Sequence, residues 1–243
     1  MRVLLLHGAW AGPWVWDGLR SAWAGRRGIT AVDLRTSPRD TDADLVDRIL
    51  AALDAEDTAA ILVAHSGAAA LAMTAAHRRP ETVRGLVSLA GIVLPAGADL
   101  AAACAEIGLD LTVGIGRYLE PSPGGTTVPP EAAAAVFFHD LDAEQAVSAS
   151  RRLVPQAAAA LSHVADWSAG TVGTLPHLYV EATLDRSLPL ELQRHLAARV
   201  GVTDVATLAC GHAVPVARPR QVRQLVSRFV TVITQERSRC MTA

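Results

Sequence analysis

Three short stretches hold residue types that could work together as an activated nucleophile: AHSGA with Ser66, LDRSLP with Asp185, and CGHAVP with His212. A serine hydroxyl is a weak nucleophile until a histidine removes its proton and a carboxylate orients that histidine. Ser66 follows the apolar run AILVA and precedes GAAALAM, which predicts a strand, a sharp turn and a helix. A serine exposed on such a turn needs small residues two positions before and after it, a requirement met by glycines in the G-x-S-x-G elbow. Here Ala64 and Ala68 occupy those positions, the smallest departure from glycine. Read alone, Ser66 also fits a helix N-cap.

The other two residues fall where such a serine needs them. Asp185 follows the strand-like run HLYVE, and His212 follows DVATL, so both are expected in loops at the ends of strands. Glu181 is the rival acid, but it lies inside its strand. The chain order Ser66, Asp185, His212 matches one of the known orders of a serine-histidine-acid system. An oxyanion forming on an attacked carbonyl needs two backbone N–H donors. These are assigned to Gly67, after the serine, and Ala9, in the loop that follows the first strand, LLLHGAW. His7 reads as a buried histidine bonded to nearby backbone. Trp10, His65, Phe137 and Phe138 are candidates for the substrate pocket, and Trp14, Trp16 and Trp167 are further aromatic candidates for its walls.

Positioning these residues requires a sheet whose strand ends meet. Short apolar runs at Val3 to Leu6, Thr30 to Leu34, Ala60 to Ala64, Val83 to Leu89, His177 to Glu181 and Asp204 to Leu208 read as strands. Longer amphipathic stretches at Trp14 to Ala24, Asp42 to Ala55, Gly67 to His77, Leu190 to Arg199 and Pro219 to Thr234 read as helices. Alternation of this kind predicts a doubly wound, mostly parallel α/β sheet. Residues 94–174 interrupt it with an alanine-rich, mostly helical texture and one expected hairpin at SPGG. The expected organisation is a core of 1–93 and 175–243 with a cap at 94–174 lying over the ligand crevice.

The chain has 243 residues, 51% of them hydrophobic, enough for one substantial core. A net charge of -2 offers no basic face for nucleic acid. The three cysteines, Cys104, Cys210 and Cys240, are too widely spaced for a disulfide framework or a zinc knuckle. No window suits a membrane span, and the start of the chain does not read as a signal peptide, so a cytoplasmic protein is expected. Lysine is absent and arginine occurs 22 times, as in a GC-rich, bacterial genome. Neither a metal nor a cofactor is expected, and the oligomeric state is not readable.

HGAWAGPWVW, AHSGA, LDRSLP and GHAVPVARP together resemble the α/β-hydrolase superfamily, in its esterase and hydroxynitrile-lyase-like branch. The likeness spans nearly the whole chain, including AAVFFHDLDAEQA in the interruption. It implies a Ser66, Asp185, His212 triad, cofactor-free chemistry and a small-molecule substrate of ester type. The leading expectation is a serine hydrolase cleaving a small-to-medium apolar carboxylic ester or thioester through an acyl-enzyme on Ser66. The alternative is a non-hydrolytic lyase, dehydratase or cyclase using the same residues for acid-base chemistry. A silent ligand-binding protein ranks third. The branch's hydroxynitrile lyases carry a threonine after the first-strand histidine and a lysine after the catalytic histidine. Gly8 and Ala213 stand at those positions here, which disfavours cyanohydrin cleavage.

Overall fold

The computed structural model describes residues 1–23 and 28–240. Six strands form one parallel sheet: β1 (Arg2–Leu6), β2 (Ile29–Val32), β3 (Ala60–His65), β4 (Val83–Leu89), β7 (His177–Ala182) and β8 (Asp204–Leu208). Their order is β2-β1-β3-β4-β7-β8, so the chain steps from β1 to one side and then returns to the other. The ends of β1 and β3 flank that reversal, where parallel sheets open a crevice for ligands. In register, Leu6 lies opposite Ala64, which brings the loops after β1 and β3 side by side.

Both faces of the sheet are covered over its central strands, which explains why β1, β3 and β4 read as apolar runs. Leu4, Leu6 and Leu62 point to one face and pack with α2 (Asp42–Asp54), α3 (Ala68–Arg78) and α7 (Leu190–Val200) through Ile49, Met73 and Leu196. Val3, Leu5, Ile61 and Val63 point to the other and pack with Trp16, with Leu19 of α1 (Asp17–Ala22) and with Val222 and Phe229 of α9 (Pro219–Cys240). The alanines of α3 are all buried, so this helix approaches the sheet closely directly behind Ser66.

Several boundaries differ from the sequence expectation, each for a local reason. The stretch from Trp14 splits into a single 3-10 turn, Pro13–Trp16, and the short α1, because Trp16 sits in the bridge region at φ -94°, ψ -2° with its indole fully buried. The expected end of that helix, Ala24, lies outside the described residues. The second strand stops at Val32 rather than Leu34, since the Leu34 N–H leaves the ladder and donates to His7 Nε2 (2.8 Å). Helix α9 runs on to Cys240.

Residues 94–174 hold α4 (Leu100–Ala105), α5 (Pro130–Val136), α6 (Ala143–Ser150) and three 3-10 turns. They also contain the antiparallel hairpin β5 (Glu120–Ser122) and β6 (Gly125–Thr127), turning at Pro123 and Gly124. Beyond the hairpin, Thr126 and Gln156 exchange both backbone hydrogen bonds. Helix α8 (Val214–Ala217) completes the elements. Among the described residues no helix is long and apolar enough to cross a membrane.

Candidate active site

Ser66 stands on the turn between β3 and α3 with φ +55°, a left-handed conformation that is uncommon for a residue bearing a β-carbon. The turn is held by backbone bonds on both sides: Ser66 N–H donates to Leu89 O, and Ser66 O accepts from Ala69 and Ile92. Two neighbours show how tight the site is. A β-carbon on Gly8 would lie 2.9 Å from Ser66 Cβ, whereas one on Gly67 would meet nothing within 4 Å. The loop after β1 therefore presses against the serine, while the space over Gly67 is open. Among the described residues, neither the Ala9 nor the Gly67 N–H has an acceptor.

The structure brings Ser66, His212 and Asp185 together. His212 Nε2 lies 3.0 Å from Ser66 Oγ, and His212 Nδ1 lies 2.7 Å from Asp185 Oδ2. With Nδ1–H donating to the carboxylate, Nε2 is left to accept the serine proton. Asp185 is fixed by its own surroundings, because Oδ1 accepts the N–H groups of Ser187 (2.7 Å) and Leu188 (2.9 Å). Glu181 goes elsewhere: it pairs with Arg194 (2.9 Å) and Thr207 (2.9 Å), and the Arg194 hydrogen bonds hold its carboxyl below the usual range.

His65 serves His212 from behind. Its Nε2–H donates to the backbone carbonyl of His212 (2.8 Å), and burial, reinforced by the neighbouring His212, pushes its pKa down to about 3. His65 borders the cavity as a neutral support. His7 is likewise held neutral by burial, with Nδ1–H on Gly8 O and Nε2 accepting from Leu34. Cys210, two residues before His212, is no rival nucleophile, since burial raises its thiol to about 12.

A cavity of about 290 Å³ opens over Ser66. Trp10, Phe137 and Phe138 line it, and the Phe137 ring stacks on both Trp10 and His212. Trp14, Trp16 and Trp167 do not border it; Trp16 belongs to the core, and Trp167 Nε1–H bonds Leu94 O. Much of the remaining wall is aliphatic, from Leu71 of α3 to Leu100, Leu111 and Ile115 of the 94–174 segment.

Three contributors were not singled out from sequence. Gln193 of α7 is fully buried and donates to Leu188 O (2.7 Å) and Ala182 O (3.1 Å), with a longer contact to Asp185 Oδ2 (3.4 Å). Asp140 accepts the Gly211 N–H (2.9 Å), anchoring the loop that carries His212. Gln156 reaches from the interruption to the Trp10 N–H (3.3 Å). Asp140 and Gln156 lie 71 and 146 positions from the residues they steady, and Gln193 sits within a helix where one glutamine looks like any other polar position, so none of the three carries a spacing signal.

No curated protein is a significant match to the chain. Among solved structures, polyneuridine aldehyde esterase superposes with a TM-score of 0.79 at 19% identity, covering 94% of this chain and 98% of that one. A pyrethroid hydrolase from Sphingobium faniae JZ-2 gives 0.77 at 20% identity, covering 94% and 96%. Tomato methylketone synthase I, complexed with 2-tridecanone, gives 0.78 at 18% identity, covering 96% and 98%. At these identities the likeness is one of fold. A family model described as the alpha/beta hydrolase family matches residues 3–225, nearly the whole length, and the chain belongs to that family.

Proposed function

We propose that this protein is a serine hydrolase that cleaves a small-to-medium, uncharged, apolar carboxylic ester or thioester through an acyl-enzyme on Ser66. The observation that carries the reading is the continuous line of short contacts from Asp185 Oδ2 to His212 Nδ1 (2.7 Å) and from His212 Nε2 to Ser66 Oγ (3.0 Å). In the acylation step His212 Nε2 takes the hydroxyl proton as Ser66 Oγ bonds to the ester carbon. The negative charge moves to the carbonyl oxygen, which the N–H groups of Ala9 and Gly67 receive. Collapse of the tetrahedral intermediate breaks the ester C–O bond, and His212 returns its proton to the departing alkoxide. Water, deprotonated by the same histidine, then releases the acid and frees Ser66. Asp185 holds the imidazole in the tautomer this sequence needs and stabilises the imidazolium. In this reading residues 94–174 act as the cap that roofs the cavity and shapes it for the substrate.

The esterase and hydrolase among the similar folds accord with this reading, whereas methylketone synthase I shows that the fold is not confined to hydrolase names. An organophosphonate probe together with short-chain p-nitrophenyl esters tests it. Phosphonylation should map to Ser66 by mass spectrometry and be slowed at least 100-fold in His212→Ala, and the esters should be turned over. Labelling of Ser66 with no ester turnover would instead support an acid-base role in a non-hydrolytic reaction. Absence of labelling would remove Ser66 as an activated nucleophile.

A further inference from the structure

Gln156 is 3% exposed, and the two ends of its side-chain amide meet different surroundings. Its Oε1 accepts the Trp10 N–H (3.3 Å), which also fixes the orientation of the amide, since a backbone N–H requires an oxygen there. Its Nε2 has no hydrogen-bond partner among the described residues, and it is not one of the sealed unpartnered atoms of the interior. The open space that Gln156 borders is the cavity over Ser66. Of the imidazoles on that wall, His163 bonds Asp42 and Thr74, His7 bonds Gly8 and Leu34, and His212 bonds Asp185 and Ser66, while His65 bonds the His212 carbonyl through Nε2 and keeps its unpartnered Nδ1 sealed in the interior.

The backbone keeps this amide in place. Gln156 exchanges two main-chain bonds with Thr126 (2.8 and 2.9 Å), and Thr126 Oγ1 accepts the Trp10 indole N–H (3.2 Å). Trp10 itself is held at φ +58° and follows Ala9 directly, the residue whose N–H faces the oxyanion in the proposed reaction. A buried amide with one end anchored and two N–H donors left over is costly unless a partner arrives.

We propose that Gln156 is a substrate-recognition residue whose Nε2–H donates to a second acceptor oxygen of the substrate, near the reacting carbonyl, so that the preferred ester carries a ketone or hydroxyl oxygen on its acyl chain. The proposal rests on the ester reading of the site for the substrate's orientation. It selects within apolar esters, because a site built to bond an oxygen discriminates strongly against the analogue that lacks it.

The test is binding to Ser66→Ala, which needs no turnover. Quenching of tryptophan fluorescence titrates ethyl octanoate and its 3-oxo and 5-oxo analogues. At least one oxo ester should bind 10-fold or more tightly than the parent ester. Gln156→Glu in the same background keeps an oxygen for the Trp10 N–H and removes the donors once its carboxyl is ionised, so it should abolish the preference in titrations carried to about pH 9. Gln156→Met serves if that variant does not fold. Equal affinity for all three esters, or a preference that survives both substitutions, would overturn the proposal. Failure of the hydrolase reading would appear separately, as absent labelling and turnover in the wild type.

Discussion

Gly8 and Ser66 approach so closely that a single β-carbon on Gly8 would stand 2.9 Å from Ser66 Cβ and 3.2 Å from both His65 Nδ1 and His65 O. The glycine is there for room. Gly8→Ala should force the loop carrying Ala9 away from the serine, an overpacking cost of about 1–3 kcal/mol. The expected result is a lower thermal midpoint together with phosphonate labelling of Ser66 slowed by about 10-fold or more. Wild-type labelling and an unchanged midpoint would mean that the loop accommodates the methyl group freely.

Asp185 and Glu181 both come from β7 and its following loop, yet only Asp185 meets His212. Asp185→Asn should lower kcat by about 10³–10⁴-fold, because an amide favours the wrong imidazole tautomer. Glu181→Gln loses ion pairing to Arg194 outside the cavity and should stay within about threefold of wild type. Steady-state kinetics, with circular dichroism to confirm folding, separates the two. Equal losses would leave the acid unassigned.

Gln193→Leu tests how the aspartate is held. The amide ties Leu188 O to Ala182 O beneath Asp185, and an apolar replacement leaves those carbonyls unpaired. Stability should fall by about 1–3 kcal/mol, and kcat should fall while KM changes little, since the side chain touches no substrate. A change in KM alone would place Gln193 at the substrate instead.

What the sequence made legible follows from how each signal is encoded. The parallel sheet could be read because burial on both faces turns its central strands into continuous apolar runs, as in Val3 to Leu6 and Ile61 to Val63. Ser66, Asp185 and His212 each follow a strand of that sheet, and its parallel order brings their loops to one edge. Gly8 could be seen as lacking a hydroxyl, but its steric reason needs the β1–β3 register that sets Leu6 opposite Ala64. Gln156 and Gln193 act through contacts to residues 146 and 11 positions away, respectively, and no local pattern announces a glutamine of that kind.

Acid should destabilise the fold through two histidines that are neutral in the native state. Loss of hydration lowers His177 to about 4, where its Nε2 lies 2.8 Å from Ser88 Oγ, and His65 to about 3. In the unfolded chain both titrate near 6.5. Their stability contribution is therefore complete above roughly pH 6.5 and declines as the pH falls toward 4, because the unfolded chain takes up protons that the native chain refuses. Each adds a slope of up to about 1.4 kcal/mol per pH unit in that window. Urea midpoints measured from pH 7 to 4.5 should fall steadily, and His177→Gln should reduce the slope. An identical slope in that variant would show that His177 is protonated in the native state.

The cavity sets the charge of what it accepts. Its described lining contains no Asp, Glu or Arg, and the chain has no lysine at all, so no permanent cation there can pair with a carboxylate brought in on a substrate. Removing an ionised carboxylate from water without a partner costs several kcal/mol, and each 1.4 kcal/mol is a factor of ten. A matched pair of substrates isolates this cost: p-nitrophenyl hexanoate and the p-nitrophenyl half-ester of adipic acid share the reacting bond and chain length, but the second ends in a carboxylate. The half-ester should show a kcat/KM at least about 100-fold lower at pH 7.5, with the deficit shrinking as the pH approaches the ordinary carboxylate range. Loss of stability at low pH is a separate effect, and comparing the two esters at each pH cancels it. Equal kcat/KM for the pair at pH 7.5 would mean that the chain end stays in water and that the apolar cavity does not enclose the acyl group.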